Sequence, residues 1–237
     1  MAEMLSALKE AGEDPAVNAV ILTGTGRYYC AGVDFAGSIK PMHPRTLKAS
    51  IVVSNQALFD GFLDFPKPLF AAVNGPAIGA AVTSATLCDM IIASESATFL
   101  TPFKGLGLVP EGCSSYNFPR MFGDDLAKQV LEGLKLDAHK AKELGMVDHV
   151  VTDSALQSTA QNAAEEWIRI GRNRKMTDEI RSKLKEVNAG ESVALANAIL
   201  DYPFLDHMCE FTYAKSNYAP YAIFWVARAT RPLWSKL

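Results

Sequence analysis

Three glycine-containing segments hold the residues best suited to chemistry. Ala31-Gly32-Val33-Asp34-Phe35 follows one apolar run, and Asn74-Gly75-Pro76-Ala77-Ile78-Gly79-Ala80 follows another. Each sets small residues where a backbone N–H can face a ligand, and two such groups converging on one oxygen make an oxyanion hole. The third segment, Gly107-Leu108-Val109-Pro110-Glu111-Gly112, sets one carboxylate in apolar and glycine-rich company, where it can serve as general base or acid. Taken singly, each has an ordinary explanation. Asn-Gly-Pro is a turn in many proteins, and glycine after a strand is common punctuation. Glu after Pro suits the first turn of any helix, where the macrodipole favours negative charge.

Elements that would position these segments can be read along the chain. Leu5, Leu8 and Ala11 have helical spacing, and Val17 to Leu22 is an apolar, β-branched run that predicts a buried strand. Thr23 to Arg27 is a turn, and a polar loop spans Ile39 to Arg45. A helix is expected over Thr46 to Leu63, stopped by Pro66 and Pro68. Strands are expected at Leu69 to Val73, Asp89 to Ala93 and Val147 to Val151, with a short extended piece at Phe99 and Leu100. Small residues from Gly79 to Ala85 let a helix start close against a strand or ligand. Pro110-Glu111-Gly112 is expected to open a helix. Asp124, Asp137 and Asp153 are expected N-caps, and Gly145 is the stop of the helix after Asp137. From Met176 onward the chain reads as helical. Alternating strands and helices argue for an α/β fold with parallel strands.

Composition narrows the function classes. The 237 residues are 49% hydrophobic and 21% charged, which suits a folded domain with a sizeable core. A net charge of −3 offers no general excess of cations for a nucleic-acid backbone. Cys30, Cys88, Cys113 and Cys209 form no C-x-x-C pair, and His43, His139, His149 and His207 lack metal-ligand spacing. They read as free thiols of a reducing compartment and as surface or supporting histidines, with no metal. Thr23-Gly24-Thr25-Gly26 lacks the third glycine of a dinucleotide fingerprint. No run approaches the length of a membrane span, and the first residues read as neither a signal nor a transit peptide.

The order and spacing of the three segments resemble the crotonase (enoyl-CoA hydratase/isomerase) superfamily, from about residue 5 to about residue 155. Leu87-Cys88-Asp89-Met90-Ile91-Ile92-Ala93 and Ala141-Lys142-Glu143-Leu144-Gly145-Met146-Val147 are similar to two further segments of that family. The resemblance is closest to its peroxisomal Δ3,Δ2-enoyl-CoA isomerases, through Gly75-Pro76-Ala77-Ile78-Gly79 and Pro110-Glu111-Gly112-Cys113-Ser114-Ser115. It implies a ββα spiral core over residues 1–175 and a C-terminal helical segment over 176–237 that packs between subunits of a homotrimer or hexamer. Tyr202, Phe204, Phe211, Phe224 and Trp225 would supply its apolar surface. It implies Glu111 as the catalytic base and the backbone N–H groups of Val33 and Ala80 as the oxyanion hole. Ala31, Gly32, Val33, Asp34, Phe35, Gly79 and Ala80 would contact a fatty acyl-CoA, with coenzyme A part of the substrate and no separate cofactor. Phe35, Phe62, Phe103 and Tyr116 are expected to line part of the acyl pocket.

Two departures from the family refine this reading. Hydratases of the family carry carboxylates where this chain has Thr83 and Phe103, neither of which is a general base. A one-carboxylate isomerase is therefore expected, with Asp34 and Glu95 as the alternative carboxylates if it is a hydratase or a thioester hydrolase. A non-enzymatic acyl-CoA-binding scaffold is the third reading. Family members also begin with a strand pair ahead of the first helix, which implies that this pair is missing here. Ser235-Lys236-Leu237 matches the peroxisomal address read by an import receptor, so a peroxisome or related organelle is the expected location.

Overall fold

The computed structural model describes residues 2–38 and 41–235, so Ile39 and Lys40 of the polar loop and Lys236 and Leu237 of the targeting tripeptide lie outside the described residues. In chain order the elements are α1 (Ala2–Glu13), β1 (Val20–Thr23), α2 (Phe35–Ser38), α3 (Pro44–Leu63), β2 (Leu69–Val73), β3 (Ala77–Ile78), α4 (Ala80–Ala85), β4 (Met90–Ser94) and β5 (Thr98–Leu100). They continue with α5 (Ser114–Phe122), α6 (Asp124–Leu131), β6 (Leu136–Asp137), α7 (Ala138–Glu143), β7 (His149–Val151), α8 (Leu156–Arg169), α9 (Asp178–Ile199), α10 (Tyr202–Ala214) and α11 (Tyr218–Trp234).

A parallel four-stranded sheet has the order β1-β2-β4-β7, and a smaller sheet has the order β3-β5-β6. Every residue of β2 is buried, as a continuous apolar run in an inner parallel strand should be. The pleat sends Phe70 and Ala72 to one face, where Ala160, Ala164 and Trp167 of α8 cover them. It sends Ala71 and Val73 to the other face, against Val82 of α4, Phe118 of α5 and Val130 of α6. This is the ββα architecture of the crotonase fold, followed by a helical C-terminal segment. No helix among the described residues is long and apolar enough to cross a membrane.

Helix α9 packs along α3, burying Leu184, Asn188, Glu191, Ser192, Leu195, Ala196 and Ile199 on one helical face. Helices α10 and α11 pair through an aromatic contact between Phe204 and Phe224, ring centroids 6.2 Å apart. Those two rings are buried inside the pair, so they are not surface for another subunit, whereas Phe211 and Trp225 stand exposed.

Local structure corrects several boundaries. β1 starts at Val20 rather than Val17, because Asp14 turns the chain by accepting from the N–H groups of Ala16 and Val17. Helix α5 starts at Ser114 and not at Pro110, because Gly112 and Cys113 take left-handed backbone. Asp124 is the first residue inside α6, with Gly123 at the cap. Asp153 opens a 3-10 turn ahead of α8, and its carboxylate accepts from Ser96 Oγ at 3.0 Å. Asp137 does cap α7, accepting from Lys140 N at 2.7 Å, and Gly145 follows with φ +78°.

The segment between α8 and α9 is tied down by a buried ion pair. Arg174 meets Asp89 at 3.2 Å, with side chains 5% and 1% exposed. Its guanidinium also donates to the carbonyls of Phe62, Phe65 and Leu87, satisfying the end of α3. Asp89 in turn accepts from Leu69 N and Lys175 N. Removing one member strands the other's charge in the core. Arg174→Ala should therefore lower unfolding free energy by about 3–5 kcal/mol in urea titration, whereas truncating the exposed partner pair Lys9–Glu13 should change it by less than about 1 kcal/mol.

Candidate active site

Two backbone segments are brought side by side by one parallel bridge, Cys30 to Ala77. Ile78 N donates to Cys30 O, and Gly79 N donates to Leu100 O. Asn74 locks the two preceding turns together, accepting from Gly24 N and donating to Gly26 O, each at 2.9 Å. From that bridge each chain runs three residues onward, to Val33 and to Ala80. Gly79 has φ +62° and ψ −123°, a conformation open to glycine alone, and it turns the chain so that Ala80 starts α4 with its N–H unused. Among the described residues, neither the N–H of Val33 nor that of Ala80 has a hydrogen-bond partner in the protein. Both residues line one cavity of about 220 Å³ together with Glu111.

Glu111 is 7% exposed and sits in a turn, three residues ahead of α5. Gly112 and Cys113 both take left-handed backbone, φ +66° and +65°, and this pair keeps the helix from reaching back to Pro110. A side chain at Gly112 would be strained and would also run into the Phe59 ring and the Thr83 hydroxyl. Cys113 bears a strain costing about 1 kcal/mol or more. The turn is held from three sides. Ser114 Oγ donates to Glu111 O at 2.8 Å. Glu191 of α9 accepts from Cys113 N at 2.6 Å and Ser115 N at 2.8 Å. Asn55 of α3 donates to Glu111 Oε2 at 2.6 Å, and its own carbonyl accepts from Ser192 Oγ at 2.9 Å.

Burial pushes the Glu111 carboxyl up to about 7; the Asn55 hydrogen bond opposes this and the nearby Glu191 charge adds to it. A carboxylate poised there can take a proton and give it back at neutral pH.

Each anticipated site residue has a definite place. Ala31, Gly32, Val33, Asp34, Phe35, Gly79, Ala80 and Glu111 all line the same cavity, and Phe103 joins them. Phe62 does not: it faces α1 and β1 in the core and borders a separate cavity. Tyr116 does not either, because its ring lies under the Arg120 guanidinium, 3.4 Å from the centroid. Asp34 reaches the cavity rim, but its Oδ1 accepts from Gly37 N at 3.0 Å and so caps α2. Glu95 is exposed beyond β4 and lines none of this space. Thr83 is fully buried with its hydroxyl on Ala80 O. Sequence reasoning missed Asn55, Glu191 and Ser192, which approach from elements distant in sequence, and also His207, Met208 and Phe211 of α10, which close the cavity. The one sequence signal was polar residues, Asn188, Glu191 and Ser192, on the face of α9 that Leu184 and Leu195 mark as buried. Among the described residues, no three His, Cys, Asp or Glu side chains stand together as metal ligands do.

A family model described as enoyl-CoA hydratase/isomerase matches residues 1–208. The chain belongs to the enoyl-CoA hydratase/isomerase family. Within it, the chain is 36% identical to human enoyl-CoA delta isomerase 2 over 224 residues, covering 91% of this chain and 57% of that protein. It is 34% identical to mouse peroxisomal enoyl-CoA delta isomerase 3, covering 91% and 70% of the two chains. The chain thus spans little more than half the length of human enoyl-CoA delta isomerase 2. Among solved structures, Pseudomonas aeruginosa OdaA has a TM-score of 0.77 at 26% identity, covering 89% of this chain and 87% of that one. A Pseudoalteromonas atlantica enoyl-CoA hydratase/isomerase has a TM-score of 0.71 at 28% identity, covering 90% and 86%.

The raised Glu111 pKa makes two linked predictions. Between an unfolded carboxyl near 4.3 and the folded value near 7, the folded state binds the extra proton, so stability falls as pH rises through that window. Asn55 favours the charged form, so Asn55→Leu should move the Glu111 titration above 7, read from its carboxyl ¹³C shift. A titration unchanged or moved downward would contradict the assigned cause.

Proposed function

We propose that this family member is a Δ3,Δ2-enoyl-CoA isomerase, moving the double bond of a 3-enoyl-CoA to the trans-2 position. The observation that carries the reading is one poised carboxylate, Glu111, sharing a small apolar cavity with two unpartnered backbone N–H groups. Isomerisation needs one group that takes a proton and returns it. Hydration also needs an activated water, and the positions that carry carboxylates in hydratases hold Thr83 and Phe103.

The chemistry follows from charge. Glu111 removes the C2 proton, and the C–H electron pair spreads through the dienolate onto the thioester oxygen. The N–H groups of Val33 and Ala80 receive that oxyanion, each contributing about 3–4 kcal/mol in comparable sites. Protonated Glu111 then delivers the proton to C4, the double bond settles between C2 and C3, and the carboxylate is regenerated. Its pKa near 7 suits both half-steps. A second cavity, of about 470 Å³, shares Gly32, Val33, Asp34 and Ala80 with the first. A long thioester threaded past those amides would place its acyl part with Glu111 and its coenzyme A arm on the other side.

Two further elements of the proposal concern context. The final Ser-Lys-Leu and the peroxisomal name of the mouse relative support a peroxisomal site of action through an import receptor. Exposed Phe211, Trp225, Val226 and Leu233 on α10 and α11 support assembly as a homotrimer or hexamer. Light scattering at micromolar concentration should show a multiple of three chains; a monomer would remove this part.

Glu111→Gln keeps size and removes the base. Turnover of 3-enoyl-CoA, followed by absorbance, should fall by about two orders of magnitude or more while the fold is kept. Wild-type protein should hydrate 2-enoyl-CoA far more slowly than it isomerises. Equal rates would point to the hydratase reading, with Asp34 at the cavity rim as the carboxylate to mutate next.

A further inference from the structure

Glu191 is a buried carboxylate that the chemistry above does not use. It lies on α9, some 80 residues beyond the turn it touches, is 7% exposed, and neither lines the cavity nor pairs with a cation among the described residues. Both its oxygens are spent on backbone. Oε2 accepts from Cys113 N and Oε1 from Ser115 N, so it spans Cys113, a non-glycine residue with left-handed backbone, and the first turn of α5. Burying a charge to hold two N–H groups is costly. Those two bonds hold the turn on which Glu111 stands.

We propose that Glu191 is a positioning residue for Glu111: by accepting from Cys113 N and Ser115 N it fixes the Gly112–Cys113 turn that aims the base. The inference rests on Glu111 being the base, but the grip on the turn stands alone. Other groups face the same space. Asn55 of α3 donates to Glu111, and Asp60 lies further along α3, held by Asn188. Cys113 brings a thiol whose pKa burial pushes to about 12, so it stays neutral. His207 of α10 and Asp34 sit at the cavity rim. Of these, after burial, the Asn55 hydrogen bond bears most on the Glu111 pKa and lowers it, and the Glu191 charge raises it less; burial also pushes Glu191's own carboxyl up, opposed by the N–H groups it accepts. This turn is thus a two-carboxylate device, in which one group reacts and the other never meets substrate.

The test separates grip from charge. Glu191→Gln removes the charge and one acceptor; Glu191→Asp keeps the charge and withdraws it by one methylene. In the Gln variant the acid limb of kcat/KM, and the Glu111 carboxyl ¹³C titration identified by its loss in Glu111→Gln, should both move down by at least about half a pH unit. In the Asp variant the limb should stay in place while kcat falls about ten-fold or more at little-changed KM. Full kcat in the Asp variant, or a Glu111 titration unmoved in the Gln variant, would overturn the proposal. If the Gln variant does not fold, the Asp variant decides by itself. The ¹³C titration needs no substrate, so a protein that isomerises nothing would end the proposed function and leave this inference open to the same measurement.

Discussion

Much of this structure is organised around one constraint: a carboxylate must stay buried at Glu111 and still be able to ionise. Burial alone would leave it a neutral acid, and exposure would leave it an ordinary surface carboxylate. The fold resolves this with a polar patch inside an otherwise apolar helix pair. Along the buried face of α9, Leu184 lies on one side and Leu195 and Ile199 on the other, with Asn188, Glu191 and Ser192 between them. On α3, Asn55 is buried one turn before Leu58 and Phe59. The polar residues meet where the Glu111 turn enters. Ser192 fixes Asn55, Asn55 fixes Glu111, and Glu191 fixes the backbone that follows.

That arrangement explains why a C-terminal helix bears on the Glu111 site. α9 supplies no group to the cavity wall, yet it supplies the partners that decide where Glu111 points. The Arg174–Asp89 pair then has a functional reason to be strong. It anchors the chain just before α9 to the ends of α3 and β2, the same elements that α9 must meet in register. A helix that slid by one turn would move Glu191 by about 5.4 Å and lose both N–H groups.

How much was legible beforehand divides along the same lines. Leu69 to Val73 read as a buried strand because every position is apolar, and the structure agrees to the residue. Gly32 and Gly79 marked where backbone lines the cavity, because glycine's conformational range is a local property visible in sequence. Pro110-Glu111-Gly112 misled about the helix start because local propensity favours a first turn there, whereas the tertiary contact from Glu191, with a local hydrogen bond from Ser114, stabilises two left-handed residues instead. Asn55 and Glu191 were illegible for a related reason. They lie 56 and 80 residues from Glu111 in opposite directions, and no spacing rule connects them.

The division also bears on what fixes reaction type in this family. The backbone N–H pair comes from a bridge, Cys30 to Ala77, and a glycine conformation at Gly79, neither of which involves a reactive side chain. Such a pair stabilises any thioester oxyanion, whatever happens at the neighbouring carbons. Reaction type must therefore come from the carboxylates placed around it and from whether water has a station beside them. Here Phe103 fills a wall of the cavity with a ring, and Thr83 turns its hydroxyl onto its own helix. Those two side chains withhold a second base without disturbing the amides. On the proposed isomerase reading, the same frame serves proton shuttling, where another chain with carboxylates in those two places would add water.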